Sequence, residues 1–495
     1  MSLPEILKVA PQQTIDTMEV HTSILEPIIV NQNNARFQLE RRGILDINSC
    51  IQVARIKTNP VGGGKDIANE VVNTPIRAGC HAWIKSARLR VGATTIATTD
   101  EYGRYMTLNR QFKSVEERCR KDGIRNGTVD GMEPSWPANG ALQPMNLDWG
   151  NSNEGMPRDE GWTSQQIEIT ADEDTTAVFA IKLSELFPMM KGVQLPLYLM
   201  ADNLVIDITW QEDTEGFAFY SNMKSLGAGN YVSHCPIATT QISFLADYLS
   251  YNDSKMGDMA AQAMSTEGLS LPYNDIILTT ASLPGLGAVT APGNPAQRQV
   301  VNRDIGLASR SVQKIQWADV PTSTGDFNGA WATIHGQYVS RGFMGGSEWN
   351  MKINDRLVFN RPVRNEAQQQ YYLSQTGGVD LQVASCEYSW NQTVDENGTV
   401  IKPAFAFTNT GLPIQKINGN NLTDPAMTGL CHYQGLDLTN PMSGAGVAVG
   451  VKPIILERTV FKSSDDDARK ALTTYIWAQV GRMFVLNGGT VSVTE

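Results

Sequence analysis

SELFPMMKGVQLPLYLMADNLVIDITW, residues Ser184–Trp210, is the stretch whose reading decides the fold. Ser184–Met190 reads as a short helical turn ending near Pro188, and Gly192 breaks the chain. Leu195-Pro196-Leu197-Tyr198-Leu199 is a brief apolar run. Beyond it Leu204, Ile206 and Ile208 alternate with Val205, Asp207 and Thr209. Successive side chains of a strand point to opposite faces, so this segment reads as a strand with one face more apolar than the other. A helical turn feeding two extended pieces, in a chain rich in further strand-like runs, predicts a large β-sandwich protein.

Composition agrees with that reading and narrows the function. A chain of 495 residues exceeds one ordinary core, so two or more domains are expected. Its 43 Gly and 23 Pro cluster at turn-like positions, as an all-β chain requires. No apolar run reaches the ~18 residues of a membrane span. The opening MSLPEILKVAPQQ has no basic flank and an early Pro4, so it does not read as a signal peptide, and folding in a cytosol is expected. Cys50, Cys80, Cys119, Cys235, Cys386 and Cys431 are widely spaced with no CxxC, which predicts buried free thiols and not a disulfide framework. A net charge of −11 disfavours a surface that wraps nucleic acid.

Working outward in chain order, residues 1–20 are a polar lead with a small apolar cluster of Ile6, Leu7 and Val9, either a frayed terminus or an arm that docks on a neighbour. Ser23–Val30 reads as a first strand. Phe37 and Leu39 alternate before a break at Arg41-Arg42-Gly43, and Ile51 and Val53 alternate after it. Ala82–Val91 is a further strand. Tyr105, Leu108, Phe112, Val115 and Cys119 form one stripe of an amphipathic helix over Arg104–Lys121, whose charged outer face faces solvent. Gly123–Gly161 has little periodicity but holds Trp136 and Trp149, which predicts a large inserted loop folded on itself or on a neighbouring chain.

Thr239–Met264 reads as strand, Asn-Asp turn and helix, and Leu271–Ala281 starts a second set of strands. Ser311–Trp317 alternates; Met351–Phe359 is a strand, and Pro362–Tyr372 leads into a helix. Asn391–Thr428 is a second long polar loop, Pro453–Phe461 a strand, and the end is a long strand closed by an Asn-Gly-Gly turn and a small-residue tail.

Catalytic patterns are incomplete wherever they begin. Gly64-Lys65 is followed by Asp66, and Asn59 stands where a P-loop needs its first Gly. Ser221–Lys224 fits SxxK without its partner motifs. The five His are isolated, and His81, His234 and His432 each adjoin a Cys in sequence, a spacing that seldom chelates one metal. The runs Asp172-Glu173-Asp174 and Asp465–Asp467 read as solvated loop carboxylates. No residue is assigned to catalysis, a metal or a cofactor.

Taken in order, several of these segments resemble the double-jelly-roll major capsid proteins of polinton-like viruses, virophages and large nucleocytoplasmic DNA viruses. The resemblance is carried by the turn, Gly, Leu-Pro-Leu and strand of Ser184–Trp210, and by Phe37 followed by Gly43-Ile44-Leu45-Asp46 and Ser49. It continues through the Asp-Tyr strand, acidic turn and helix of Thr239–Met264, then Tyr371-Tyr372, and the apolar last strand ending at Gly488-Gly489. Lys255-Met256-Gly257-Asp258 departs from the strongly basic turn of that family.

The resemblance implies an all-β chain of two consecutive eight-stranded jelly-roll β-sandwiches with short helices and long loop insertions. It implies an N-terminal arm over 1–20, a first jelly roll over 21–264 and a second over 265–495. It further implies a non-enzymatic structural protein of the virion, assembled in the infected host cell. Its partners would be two more copies in a homotrimer, neighbouring capsomers, and penton and minor capsid proteins. No cofactor and no specific nucleic acid are expected, only indirect contact with an internal membrane or genome. Trp136, Trp149, Leu412 and Ile414 in the two long loops need burial that a lone sandwich edge would not supply, which makes them the candidate interface residues. The alternative is a two-domain cupin or carbohydrate-active β-sandwich enzyme. The Trp-rich loops suit glycan binding, but the HxH cluster of a cupin is missing.

Overall fold

The computed structural model describes residues 18–55, 72–73, 79–110, 125–126, 178–211, 220–221, 237–251, 253–283, 298–308, 310–321, 347–364, 366–376, 393–394, 400–401, 433–440, 442, 445–461 and 472–494. The first half contains β1 (Glu19–Leu25), β2 (Ile29–Val30), β3 (Asn34–Gln38), β4 (Ile44–Leu45), β5 (Cys50–Val53), β6 (Val72–Asn73), β7 (Ile84–Val91), β8 (Thr94–Asp100), β9 (Phe179–Lys182), β10 (Leu195–Pro196), β11 (Leu204–Trp210), β12 (Tyr220–Ser221) and β13 (Ser243–Ser250). After the helix Asp253–Ala263 come β14 (Leu269–Leu283), β15 (Arg298–Gly306), β16 (Ser311–Pro321), β17 (Ser347–Ile353), β18 (Arg356–Leu357), β19 (Thr393–Val394), β20 (Val400–Ile401), β21 (Tyr433–Asp437), β22 (Val447–Ala448), β23 (Ile454–Phe461), β24 (Leu472–Asn487) and β25 (Thr490–Thr494).

In the first half, β13 pairs with β1 and with the consecutive short strands β4 and β5, which β10 and β9 extend. The other sheet runs β2-β3-β11-β7-β8. In the second half one sheet runs β14-β24-β16-β21, with β22 on β16 and β25 on β24, and the other runs β15-β23-β17-β18. Among the described strands, none before residue 251 pairs with one after residue 268.

Alternation explains the first core. Along β11 the side chains of Leu204, Ile206, Ile208 and Trp210 are buried, and Val205, Asp207 and Thr209 face outward. In register beside them lie Ala35 and Phe37 of β3 and Ala87, Leu89 and Val91 of β7. Phe37 meets Phe244 of the opposite sheet with ring centroids 5.9 Å apart, so aromatic packing joins the two layers. Ahead of β11 the chain forms the helical turn Leu183–Leu186 and a 3₁₀ turn Pro188–Lys191, burying Phe187, Met189 and Met190. Proline suits the first position of that turn because it has no N–H to leave unpaired. The second core is spanned by Trp317 of β16 and Trp349 of β17, which meet edge-to-face at 4.9 Å.

Glycine breaks β3 from β4 where expected. Gly43 sits at φ +56°, and a Cβ there would stand 2.7 Å from the Leu249 carbonyl oxygen.

Four expectations change in detail. The run Ser23–Val30 is two strands, not one, because Pro27 between β1 and β2 cannot donate to a ladder, and β1 begins at Glu19, inside the expected arm. Met351–Phe359 is not a single strand. β17 ends at Ile353, and Asn354 and Asp355, at φ 51° and 62°, turn the chain into β18. Short polar side chains tolerate that left-handed backbone, which is the two-residue hairpin geometry. The small-residue tail is a strand: β25 folds back on β24 through Gly488 and Gly489, both at positive φ. The amphipathic helix is described over Tyr102–Arg110, where Tyr105 and Leu108 are buried; Phe112, Val115 and Cys119 lie outside the described residues.

The alternation on β11 can be broken directly. Leu204→Asp would place a carboxylate without a partner at a site 1% exposed, at a cost of about 3–5 kcal/mol. Soluble yield after expression should fall to near nothing; normal yield with an unchanged thermal midpoint would show that this face is not core.

Candidate interaction surfaces

The two halves meet along β14 and β24. These strands pair antiparallel over the whole of β14, from Leu269 opposite Leu486 to Leu283 opposite Leu472. Paired residues share a face. On one face Thr279, Ile277, Ile476, Ala478 and Val480 lie on the second-half side, where Ile476, Ala478 and Val480 belong to that core. Further along the same face Tyr273, Phe484 and Leu486 are packed into the first-half core. Asp275 and Arg482 stand at the changeover, joined by a 2.5 Å ion pair.

First-half elements close on this ladder from several directions. The Tyr273 hydroxyl donates to the Ile96 carbonyl of β8 at 2.7 Å. The Gly488 N–H donates to the Ala263 carbonyl, and the Ala201 N–H donates to the Gly489 carbonyl. On the reverse face Tyr105 packs against Trp477, and the Arg104 guanidinium lies 4.8 Å from the Tyr475 ring centroid.

A cleft of ≈ 980 Å³ follows this seam, lined from the first half by Tyr105, Asn109 and Lys191 and from the second by Gln316, Trp477 and Arg482. Its polar groups bond to one another. Gln316 Nε2 donates to Thr376 Oγ1 at 2.8 Å, Lys314 Nζ to the Thr376 carbonyl at 2.7 Å, and Gln479 Nε2 to Gln313 Oε1 at 2.7 Å. Side chains satisfied this way stiffen a seam and offer few free groups to a ligand. Burial is the largest influence on Asp275, pushing its carboxyl up from 3.8 to about 6, against the opposing pull of Arg482.

A second surface is apolar. Among the described strands β1 pairs with β13 alone and forms an edge, with Val20 and Ile24 55% and 71% exposed, and Met18, Ile28 and Ile29 nearby exposed as well. An edge of this kind, with unpaired backbone groups and apolar side chains, is a ready surface for another chain.

Trp136, Trp149, Leu412 and Ile414 lie outside the described residues. So do the carboxylate runs 172–174 and 465–467, the Gly64-Lys65 pair, and His234, His335 and His432. His81 is packed in the first half, its Nδ1 2.8 Å from the Tyr102 hydroxyl, and burial holds that phenol well above its ordinary range. Among the described residues Cys50 and Cys80 form no disulfide. Among the described residues no three His, Cys, Asp or Glu side chains gather as a metal site would need. The Asp275–Arg482 pair is not apparent in the sequence. Its only local trace is an Asp within the apolar run LPYNDIIL, and its partner lies 207 positions away.

No protein-family model and no curated protein matches the chain. Solved structures do match. A chain of the Sputnik virophage structure determined by cryo-EM gives a TM-score of 0.58 at 10% identity, covering 100% of this chain and 92% of that one. PBCV-1 VP54, fitted into a cryo-EM reconstruction of the virophage Sputnik, gives 0.55 at 10% identity with 99% of each chain covered. The mavirus major capsid protein gives 0.51 at 10% identity, covering 100% of this chain and 95% of that one. Likeness at such identity is a likeness of fold: the chain is β-rich and structurally similar, from end to end, to double-jelly-roll viral capsid proteins.

The seam makes stability depend on pH in a defined direction. Because the Asp275 carboxyl titrates near 6 in the folded chain and near 3.8 when unfolded, the folded state holds the proton more tightly. Its contribution to stability therefore grows as pH falls through 6 and is complete below 3.8, with an upper limit of roughly 3 kcal/mol. Asp275→Asn removes this dependence. The wild-type stability in urea, minus that of the variant, should rise between about pH 7 and about pH 4.5; a constant difference would contradict the assignment.

Proposed function

We propose that this chain is a structural major capsid protein, which acts by holding a shape and its neighbours and turns over no substrate. The observation that carries the reading is the end-to-end fold match, which covers 100% of this chain and 95% of the mavirus major capsid protein.

On this reading the chain is two consecutive eight-stranded jelly rolls, 21–264 and 265–495, preceded by an arm over 1–20 whose last two residues begin β1. The described pairings support a boundary between the helix Asp253–Ala263 and β14, since strands on either side of it pair only with their own half. Two sandwiches per chain give a homotrimer six similar units, a capsomer of nearly hexagonal outline able to occupy six-coordinated positions of an icosahedral shell. Its partners are neighbouring capsomers and the penton and minor capsid proteins, and its location is the virion, built in the infected host cell. The exposed apolar edge at Val20 and Ile24 supports such contacts, and Trp136, Trp149, Leu412 and Ile414 remain the loop residues proposed to meet a neighbour. Closed cyclic symmetry satisfies all three subunit contacts at once.

Light scattering on the purified protein tests the proposal. A mass near three times 54.2 kDa is expected at micromolar concentration, and a monomer under the same conditions would reject the capsomer.

A further inference from the structure

The outer face of the sheet β2-β3-β11-β7-β8 carries charge that the fold itself does not require. Asp207 of β11 lies directly across from Arg36 of β3 and from Arg88 of β7. Arg36 reaches its carboxylate at 2.6 Å and Arg90 at 2.5 Å. Arg88 is exposed and makes no hydrogen bond or ion pair among the described residues. Arg90 Nε is buried and has no hydrogen-bond partner there either. Lys85, exposed where β7 and β11 shift register, adds a fourth cation, and Asp100 of β8 is the second carboxylate.

Four cations against two carboxylates leave this face at +2, in a chain whose total is −11. The remainder of each copy therefore carries −13, since −11 − 2 = −13. A guanidinium has five N–H donors, and one carboxylate cannot use those of three arginines. Asp207 instead holds Arg36 and Arg90 in place across the sheet, which lowers the entropy lost when a further partner binds. The outward positions between the charges include Asn34, Gln38, Ser86, Thr95, Thr98, Val205 and Thr209, none of them with a ring on which a base could stack. That absence, with two carboxylates on the face and the chain's negative total, disfavours nucleic acid.

We propose that this face docks an acidic face of a second copy of the chain. The inference rests on the capsomer reading above and adds a direction to it. Two copies that met through this same face would oppose one excess of positive charge to another, which disfavours a twofold contact through it. The contact proposed is instead head-to-tail, this face to a different, acidic surface, a geometry that forms a ring when the rotation between copies closes.

A dilution series followed by sedimentation velocity tests it, using wild type, Arg88→Gln, Arg88→Glu and Arg356→Glu. Arg356 is an exposed cation of β18 in the second half and serves as the control. Arg88→Gln should weaken self-association roughly tenfold and Arg88→Glu more, with thermal midpoints close to wild type and Arg356→Glu unchanged. Raising salt from ~0.05 to ~0.5 M should weaken wild type and narrow its gap to the Arg88 variants. Unchanged self-association of Arg88→Glu beside an assembling wild type would overturn this inference and leave the capsomer standing. A wild type that stays monomeric would overturn both. Binding of a short DNA duplex that Arg88→Glu abolishes, with self-association intact, would also overturn it and make the face a nucleic-acid surface.

Discussion

The antiparallel ladder between β14 and β24 is the constraint on which the rest of the structure depends. It joins Leu269 to Leu486 at one end and Leu283 to Leu472 at the other, so nearly the whole second half is the loop that it closes. Closing so long a loop costs entropy before any contact repays it, and pairings this distant in sequence make folding slow. Both the sheet that carries β16 and β21 and the hairpin of β25 take their register from β24. A ladder that failed to form would leave each of these without a template.

The same ladder contributes residues to both cores. Its shared face leaves the second core at Val480 and enters the first at Tyr273 and Phe484, with the Asp275–Arg482 pair at the crossing. An ion pair there is expensive to desolvate, and it adds direction where apolar packing alone would let two sheets slide. The hydrogen bond of Tyr273 to β8 and the ring contact of Tyr105 with Trp477 brace the crossing from the first half. Along the cleft of the seam, Gln316, Lys314 and Gln479 bond to neighbouring groups and add to this bracing.

Local pattern made a large part of this architecture legible. The alternation of Leu204, Ile206 and Ile208 reports a half-buried strand because side-chain period and strand geometry are the same fact. Gly43, the strand–turn–helix of Thr239–Met264 and the long strands at Leu271–Ala281 and near the end were visible for similar reasons. What local pattern could not supply was partnership. Nothing around Leu271 says that its strand pairs with residues some two hundred positions away, nor that a lone Asp in an apolar run is matched by Arg482. Periodicity alone does not mark the hairpin at Asn354-Asp355, because apolar residues on both sides read as one continuous run. Of the interaction surfaces, the loop residues singled out from sequence lie outside the described residues, whereas the charged face of β3, β11 and β7 appears only once register sets Asp207 between Arg36 and Arg88.

Electron microscopy of the purified full chain tests the central claim most directly, because it sees symmetry and sandwich arrangement together. The proposed capsomer would appear as threefold particles of nearly hexagonal outline, each resolved into six sandwich densities, two per chain. Isolated two-lobed particles with no threefold assemblies, at concentrations where the chain is folded and soluble, would contradict it.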